Sequence, residues 1–130
     1  MQLQISSADG VPIYQQIVNQ VRHLVAAGRL LPGEELPAIR SLAEQLTINP
    51  NTVARAYLEL ERAGLVNKRH GSGTYVSGHV SPLPQREKLK VLKPRIDALL
   101  VEAAHLNIEL EALLDLVHDR HETLYSTTRK

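Results

Sequence analysis

Residues 34–76, which read EELPAIRSLAEQLTINPNTVARAYLELERAGLVNKRHGSGTYV, decide the fold of this chain. Apolar side chains recur there at helical spacing in two runs. Asn49 between the runs is a good N-cap and Pro50 a good first helical residue, so a new helix starts at this turn. Gly64 ends that helix, and two strand-like runs then flank the glycine-rich residues 71–73. The order helix, turn, helix and hairpin predicts a winged helix-turn-helix.

The preceding residues extend this pattern. The segment between Pro12 and Gly28 is predicted to be an amphipathic helix that starts at the proline. A second helix is expected from near Ala38 to about Thr47, and the extended residues 36–37 before it should pair with the later hairpin. The apolar residues that define the first helix are Ile13, Ile17, Val21, Leu24 and Val25.

A helical tail, residues 85–125, follows the winged head, residues 1–78, after a linker of residues 79–84. Pro94 is expected to kink or interrupt its first helix, and Asn107 to cap a last one. An apolar stripe with the 3-4-3-4-3 spacing of a coiled-coil contact would be exposed to water unless a second copy covered it, so we predict a homodimer. The predicted dimer contacts are Leu89, Leu92, Ile96, Leu99, Ala103, Leu106, Leu110, Leu113 and Val117.

The composition is nearly neutral and free of cysteine. The 130 residues carry a net charge of +1 and no Cys, which excludes disulfides and thiolate chemistry. We expect no signal peptide and no membrane span, because charged residues interrupt every apolar stretch, and therefore a cytoplasmic protein. Residues 1–78 hold seven Lys or Arg against six Asp or Glu, so any nucleic-acid contact depends on where the charges lie.

The first turn of the third helix carries side chains suited to reading DNA. In a helix-turn-helix this turn lies against base edges in the major groove. Asn51 is suited to adenine, Thr52 to phosphate or a base edge, and Arg55 to guanine or phosphate. No Asp or Glu lies between Gln45 and Leu58, as a surface facing phosphates requires. The alternative is that Thr52 is merely exposed; Asn49 suits a cap better than a base contact.

The hairpin tip is the second candidate contact. Lys68, Arg69 and His70 precede Gly71, and such a basic wing contacts the minor groove or its flanking phosphates. The alternative is an ordinary solvated hairpin. Arg40, at the start of the second helix, is suited to a phosphate, with an ion pair to Glu44 as its alternative.

The histidines prompt a metal-site hypothesis. His118 and His121, spaced i and i+3 beside acidic residues, have the spacing of a divalent-ion site, but a polar helix face is the favoured reading. We therefore predict no metal and no cofactor. No nucleophile-base pair, paired carboxylates or phosphate-cradling loop stands out, so we predict that the chain is not an enzyme.

Six segments of the chain, in order and spacing, resemble the GntR family of bacterial transcription regulators. They lie within residues 11–77 and include Pro12-Ile13-Tyr14-Gln15-Gln16-Ile17, Leu31-Pro32-Gly33-Glu34-Glu35-Leu36-Pro37, Arg40-Ser41-Leu42-Ala43, Asn49-Pro50-Asn51-Thr52-Val53, Tyr57-Leu58-Glu59-Leu60-Glu61 and Gly64-Leu65-Val66 with the hairpin Gly71-Ser72-Gly73-Thr74-Tyr75-Val76. The short tail is similar to that of the YtrA branch. This resemblance implies a two-helix dimerisation tail and, often, repression of operons that encode ABC transporters.

The resemblance also implies a set of DNA contacts. Many family members have arginines where this chain has Pro50 and Ala54, so Arg55 is expected to compensate and the operator to differ. Ala38 stands where the family usually has serine, which removes a cap or phosphate contact. By position, the implied contacts are Arg40, Asn49, Asn51, Thr52, His70 and Gly71.

Together these patterns predict a homodimeric DNA-binding regulator, most simply a repressor on a palindromic operator. Two other functions stay open at this stage. In the first, the winged helix recognises a protein instead, and Arg40 and Arg55 would then be dispensable. In the second, the C-terminal helices sense a metal or a small-molecule effector.

Overall fold

The computed structural model describes residues 1–7, 10–69, 71 and 73–126. The described chain forms two compact units, one ending at Pro84 and one beginning at Gln85, which we call the head and the tail. It is mainly helical with one small sheet, as predicted. The elements are α1 (Ile13–Ala26), α2 (Ile39–Leu46), α3 (Pro50–Arg62), β1 (Val66–Lys68), β2 (Thr74–Val76), α4 (Gln85–His105) and α5 (Leu110–Ser126).

The head is built around an aliphatic core in which α3 packs against both α1 and α2. The predicted apolar positions Ile17, Val21 and Val25 of α1 lie in this core, so helical periodicity located that part of it correctly. Close packing of branched side chains makes such a core intolerant of lost volume. Fully buried residues include Ile17, Val21, Leu42, Val53, Leu60, Val66 and Val76.

Helix boundaries follow the predicted caps with small shifts. α1 begins at Ile13 with Pro12 as its N-cap, one residue later than expected. Asn49 is the N-cap and Pro50 the first residue of α3, as predicted. The turn between α2 and α3 contains Thr47 with a φ of 55°, a left-handed conformation that a β-branched residue adopts reluctantly. This residue reverses the chain so that α3 can start three residues later.

A hydrogen bond ties α3 to the segment before α2. The Tyr57 hydroxyl donates to the Pro37 carbonyl oxygen at 2.7 Å, while its ring is almost fully buried. Burial raises the pKa of Tyr57, so the phenol stays protonated and remains a donor. The sequence gives no sign of this bond, which joins residues 20 positions apart.

The wing is an antiparallel pair, β1 and β2, in which Asn67 lies opposite Tyr75. The extended segment before α2 adds to its edge. The Leu36 N–H donates to the Thr74 carbonyl at 2.8 Å, and the Val76 N–H donates to the Glu34 carbonyl at 2.8 Å. The predicted pairing of this segment with the hairpin is thus confirmed, and it fixes the wing beside the start of α2.

Glutamines fasten the N-terminal arm to α1. The Gln16 amide accepts from the Ser6 N–H at 2.8 Å and donates to the carbonyls of Ser6 and Val11 at 2.7 and 2.8 Å. Gln20 makes a similar pair with the backbone of Gln4. Gln16 is 95% buried because these bonds satisfy its amide. These bonds hold the arm against α1 over the residues described.

The tail differs from its prediction at two residues. α4 runs through Pro94 without a break, so the predicted interruption does not occur, and the heptad position of this proline is opposite the apolar stripe. Asn107 does not cap α5: with a φ of 58° it ends α4, while the Ile108 N–H donates to the Ala103 carbonyl at 2.8 Å. That is the helix-ending arrangement that asparagine tolerates, whereas the sequence alone suggested an N-cap. None of the described helices is long and apolar enough to cross a membrane.

Candidate nucleic-acid interface

The first turn of α3 presents polar groups with a fixed backbone. The Asn49 side-chain oxygen accepts from the Asn51 N–H at 2.8 Å, so the amide oxygen of Asn49 is engaged in capping. The Asn51 side chain is exposed, and Thr52 is half-buried beside it. Pro50 has no N–H and restricts its own φ, which makes the turn rigid. The turn therefore offers an amide and a hydroxyl in a preorganised position.

The electrostatics of this turn favour an anion. α3 has no acidic residue in its first turn, so the partial positive charge of the helix start is not neutralised. Arg40 is exposed near the start of α2 and forms no ion pair with Glu44 within the described part of the chain. The alternative role that the sequence suggested for Arg40 is thus not realised here, and its guanidinium remains available.

Arg55 is held by an aromatic ring that sequence reasoning missed. Its guanidinium carbon lies 3.8 Å from the centroid of the Tyr14 ring on α1. Such a cation–π contact restricts a long side chain without neutralising its charge. Arg55 nevertheless remains exposed, because Tyr14 covers only one face of the guanidinium. The only sequence feature that relates to this contact is that Tyr14, one of four Tyr residues, lies near the start of the first amphipathic helix.

The wing repeats this arrangement. Lys68 and Arg69 are exposed at the end of β1, and the Arg69 guanidinium carbon lies 4.1 Å from the centroid of the Tyr75 ring. Gly71 has a φ of +71°, which a side chain would strain. A Cβ at Gly73 would contact the carboxylate of Glu35, so a larger residue there would require that side chain to move. His70, the remaining predicted wing contact, lies outside the described residues.

The fold brings these candidates together on the head. α2 and α3 pack directly, and α3 also contacts β1, so the starts of both helices and the wing share one compact unit. The predicted contacts that the structure describes are Arg40, Asn49, Asn51, Thr52, Arg55, Lys68, Arg69 and Gly71. Such a set of exposed donors and cations can bind phosphates and base edges.

The predicted dimer contacts divide into two groups. Ala103 and Leu113 are buried within the tail of a single chain, where α4 and α5 meet near their connection. The other predicted contacts are exposed, among them Leu89 at 57% and Ile96 at 54%. Single-chain packing therefore leaves most of the apolar stripe uncovered.

The structure adds no third ligand to the metal site considered for His118 and His121 within the described residues. Among the described residues, no three His, Cys, Asp or Glu side chains are grouped as a metal ion would need. His121 instead packs on Tyr125, with ring centroids 4.9 Å apart.

Comparison with known proteins places this geometry in a family. The model of the bacterial regulatory proteins of the gntR family matches residues 13–76. The HTH-type transcriptional repressor YtrA of Bacillus subtilis (strain 168) is 36% identical over 117 residues, which cover 90% of this chain and 90% of that protein. These matches confirm the resemblance predicted from the sequence, and the named relative is a regulator rather than an enzyme.

Solved structures agree with the fold. YtrA from Sulfolobus acidocaldarius, a GntR-family transcription factor, superposes with a TM-score of 0.54 at 36% identity and covers 74% of this chain and 97% of that chain. AraR(DBD) in complex with operator ORE1 superposes with a TM-score of 0.50 at 26% identity and covers 59% of this chain and 94% of that chain. The winged helix-turn-helix prediction is thereby confirmed.

Proposed function

This chain belongs to the gntR family of bacterial regulatory proteins, and we propose that it acts as a dimeric repressor on a palindromic operator. Support comes from the repressor named among its relatives and from the operator complex of a structural neighbour. The observation that carries the proposal is the preorganised, acid-free first turn of α3. Action on an operator also requires a cytoplasmic location, where the DNA lies.

Base recognition is assigned to the start of α3. Asn51 and Thr52 are exposed or half-exposed on the first turn, and Arg55 follows one turn later. In the major groove an asparagine amide pairs with adenine and a guanidinium pairs with guanine, each good bidentate contact discriminating by roughly 1–3 kcal/mol. Asn49 serves the interface by holding the turn in shape, since its side-chain oxygen already accepts a backbone N–H.

Phosphate contacts are assigned to Arg40 and to the wing. Arg40 is exposed without an ion-pair partner among the described residues, and Lys68 and Arg69 are exposed at the wing. His70 is included because of its place in the sequence, and Gly71 because its backbone permits close approach. Contacts of this kind set the register of the head on the duplex.

The tail is assigned to dimerisation. We infer three functional parts, residues 1–78, 79–84 and 85–125, of which the last pairs two heads. The exposed members of the stripe would be covered by the same surface of a second copy. Two-fold symmetry of the protein then matches two half-sites separated by one or more helical turns of DNA.

Selection of bound sequences from a random duplex pool tests this proposal. The full-length protein should enrich an inverted repeat, and its affinity should fall as salt is raised, because phosphate contacts release counterions. Arg55→Ala should weaken operator binding about tenfold, whereas Arg62→Ala, at the far end of the same helix, should have little effect. A pool that stays unenriched and shows no salt dependence would contradict the proposal and favour a protein-recognition role.

An effector is tested separately. The hypothesis of a sensor in the C-terminal helices predicts that a chelator changes operator affinity through His118 and His121. We expect no change, because no third ligand is grouped with them among the residues that the structure describes. A chelator-sensitive operator affinity, abolished by His118→Ala, would instead establish metal sensing.

A further inference from the structure

Charge is separated along the tail. Residues 85–95 contain five Lys or Arg and one Glu, whereas residues 96–126 contain seven Asp or Glu and one Arg. The head, residues 1–84, is almost balanced, with seven basic and six acidic residues. The tail therefore begins strongly basic and continues strongly acidic, although the whole chain carries only +1.

The basic residues lie at defined positions beside the apolar stripe of α4. The 3-4-3 spacing makes Leu89, Leu92, Ile96 and Leu99 the a and d positions of heptads. The flanking e and g positions in this half of the helix are Arg86, Lys88, Lys93 and Arg95. All four are cationic, and within the described residues the ion pair of this segment joins Lys90 and Glu87, outside those flanks.

The charges that flank a coiled-coil seam determine how its helices pair. If two α4 helices ran parallel, Lys88 of one copy would face Lys93 of the other, and like charges across an interface oppose association. If they ran antiparallel, the basic start of each α4 would face the far end of the other. That end carries Asp97 and Glu102 and no Lys or Arg, and the chain stays acidic beyond α4, with Glu109 before α5 and Glu111 and Asp115 in it.

We propose that the exposed seam of α4 binds α4 of a second copy in antiparallel orientation, with residues 86–95 of each copy facing the acidic end of the other tail. The proposal rests on the dimer of the proposed function and defines its orientation. Two-fold symmetry doubles each charge pairing, so a modest interaction per pair acts twice. The acidic residues between positions 97 and 115 are exposed and available for this pairing.

DNA is a less suitable occupant of this surface. Phosphates would pair with the cations but leave the apolar side chains between them in water, and Leu89 and Ile96 are each more than half exposed. A second copy covers the seam and neutralises its flanks at the same time. The antiparallel arrangement thus satisfies both features with one partner.

The salt dependence of dimerisation tests the orientation. The dissociation constant of the full-length, fluorescently labelled protein is measured by sedimentation at low and high NaCl. Attraction between opposite charges is screened by salt, so the antiparallel dimer should dissociate more readily at high salt. A parallel dimer would show the opposite trend, because salt would relieve its repulsion. A dimer that tightens with salt therefore overturns the orientation while leaving dimerisation intact.

Charge reversal gives an independent test. The variant Lys88→Glu/Arg95→Glu should weaken the dimer about tenfold, and adding Glu102→Lys should restore part of that loss. Lys90→Glu, which changes charge in the same helix outside the flanks, is the matched control and should have a smaller effect. In a parallel dimer the double variant would bind more tightly, since the carboxylate introduced at position 88 would then face Lys93 of the other copy.

The remaining outcomes separate this proposal from the one on which it rests. A wild-type protein that stays monomeric at all concentrations tested would remove the dimer and the orientation together. If the double variant dimerises normally but binds DNA more weakly, residues 86–95 contact phosphates and the antiparallel assignment is overturned. Circular dichroism of each variant confirms that its helices are retained.

Discussion

The head and the tail use similar aliphatic residues and bury them to opposite extents. In the head, Ile17, Val53 and Leu60 are completely buried among neighbours from three helices. In the tail, Leu89, Ile96 and Leu106 are more than half exposed. A packed core makes the head stable as a unit, whereas two helices that meet near one connection cannot cover their own apolar faces. The degree of burial thus separates apolar residues that stabilise the head from apolar residues of the tail that are exposed for contact with a partner.

The largest expected effect is on dimerisation. Leu99→Asp should raise the dissociation constant of the dimer about a thousandfold, because two symmetry-related leucines lose their burial and two charges take their place. Thermal melting of the head should not change. Sedimentation equilibrium provides the measurement. A variant that remains dimeric would show that the exposed stripe is not the dimer interface.

Leu60→Ala tests the other side of the comparison. Its side chain is completely buried in the head, so truncation should lower the free energy of unfolding by about 3 kcal/mol without changing dimer affinity. Urea denaturation at fixed protein concentration measures the loss. Leu58→Ala, on the same helix but 41% exposed, is the matched control and should lower stability much less. Equal losses would mean that the head core is less well packed than the structure indicates.

Tyr57→Phe should lower the stability of the head by about 1 kcal/mol, because it removes the hydrogen bond to Pro37 but keeps the buried ring. The midpoint of its chemical denaturation is compared with that of Tyr14→Phe. That control also loses a hydroxyl, but not the hydrogen bond between α3 and the segment before α2. Indistinguishable midpoints for the two variants would show that the bond to Pro37 contributes nothing measurable.

The smallest expected effect is on operator binding through Arg55, which contacts the Tyr14 ring of α1. Tyr14→Leu should weaken operator binding about threefold, since Arg55 loses the ring that restricts it. Tyr14→Phe keeps the ring and should bind normally. In the Arg55→Ala background, Tyr14→Leu should have no further effect on operator affinity. Additive losses in this double-mutant cycle would show that Tyr14 acts on binding independently of Arg55.

The sequence predicted local features well and contacts between distant residues poorly. The cap at Asn49, the start of α3 at Pro50 and the wing hairpin all follow from preferences that act within a few residues. The pairing of Tyr14 with Arg55 does not, because it depends on how α1 crosses α3. Asn107 shows a further limit: asparagine suits both the start and the end of a helix, and its left-handed φ was decided by the chain around it.

By itself, the sequence determined the family, the order of the helices and wing, and the separation of charge along the tail, because caps, periodicity and composition are properties of neighbouring residues. The tertiary structure decided which of the apolar helix faces are covered within one chain. Leu60 and Leu99 both belong to apolar faces of helices, yet Leu60 is completely buried and Leu99 is 42% exposed. Burial depends on whether another element packs against that face, and in the tail the single chain provides none over most of the stripe.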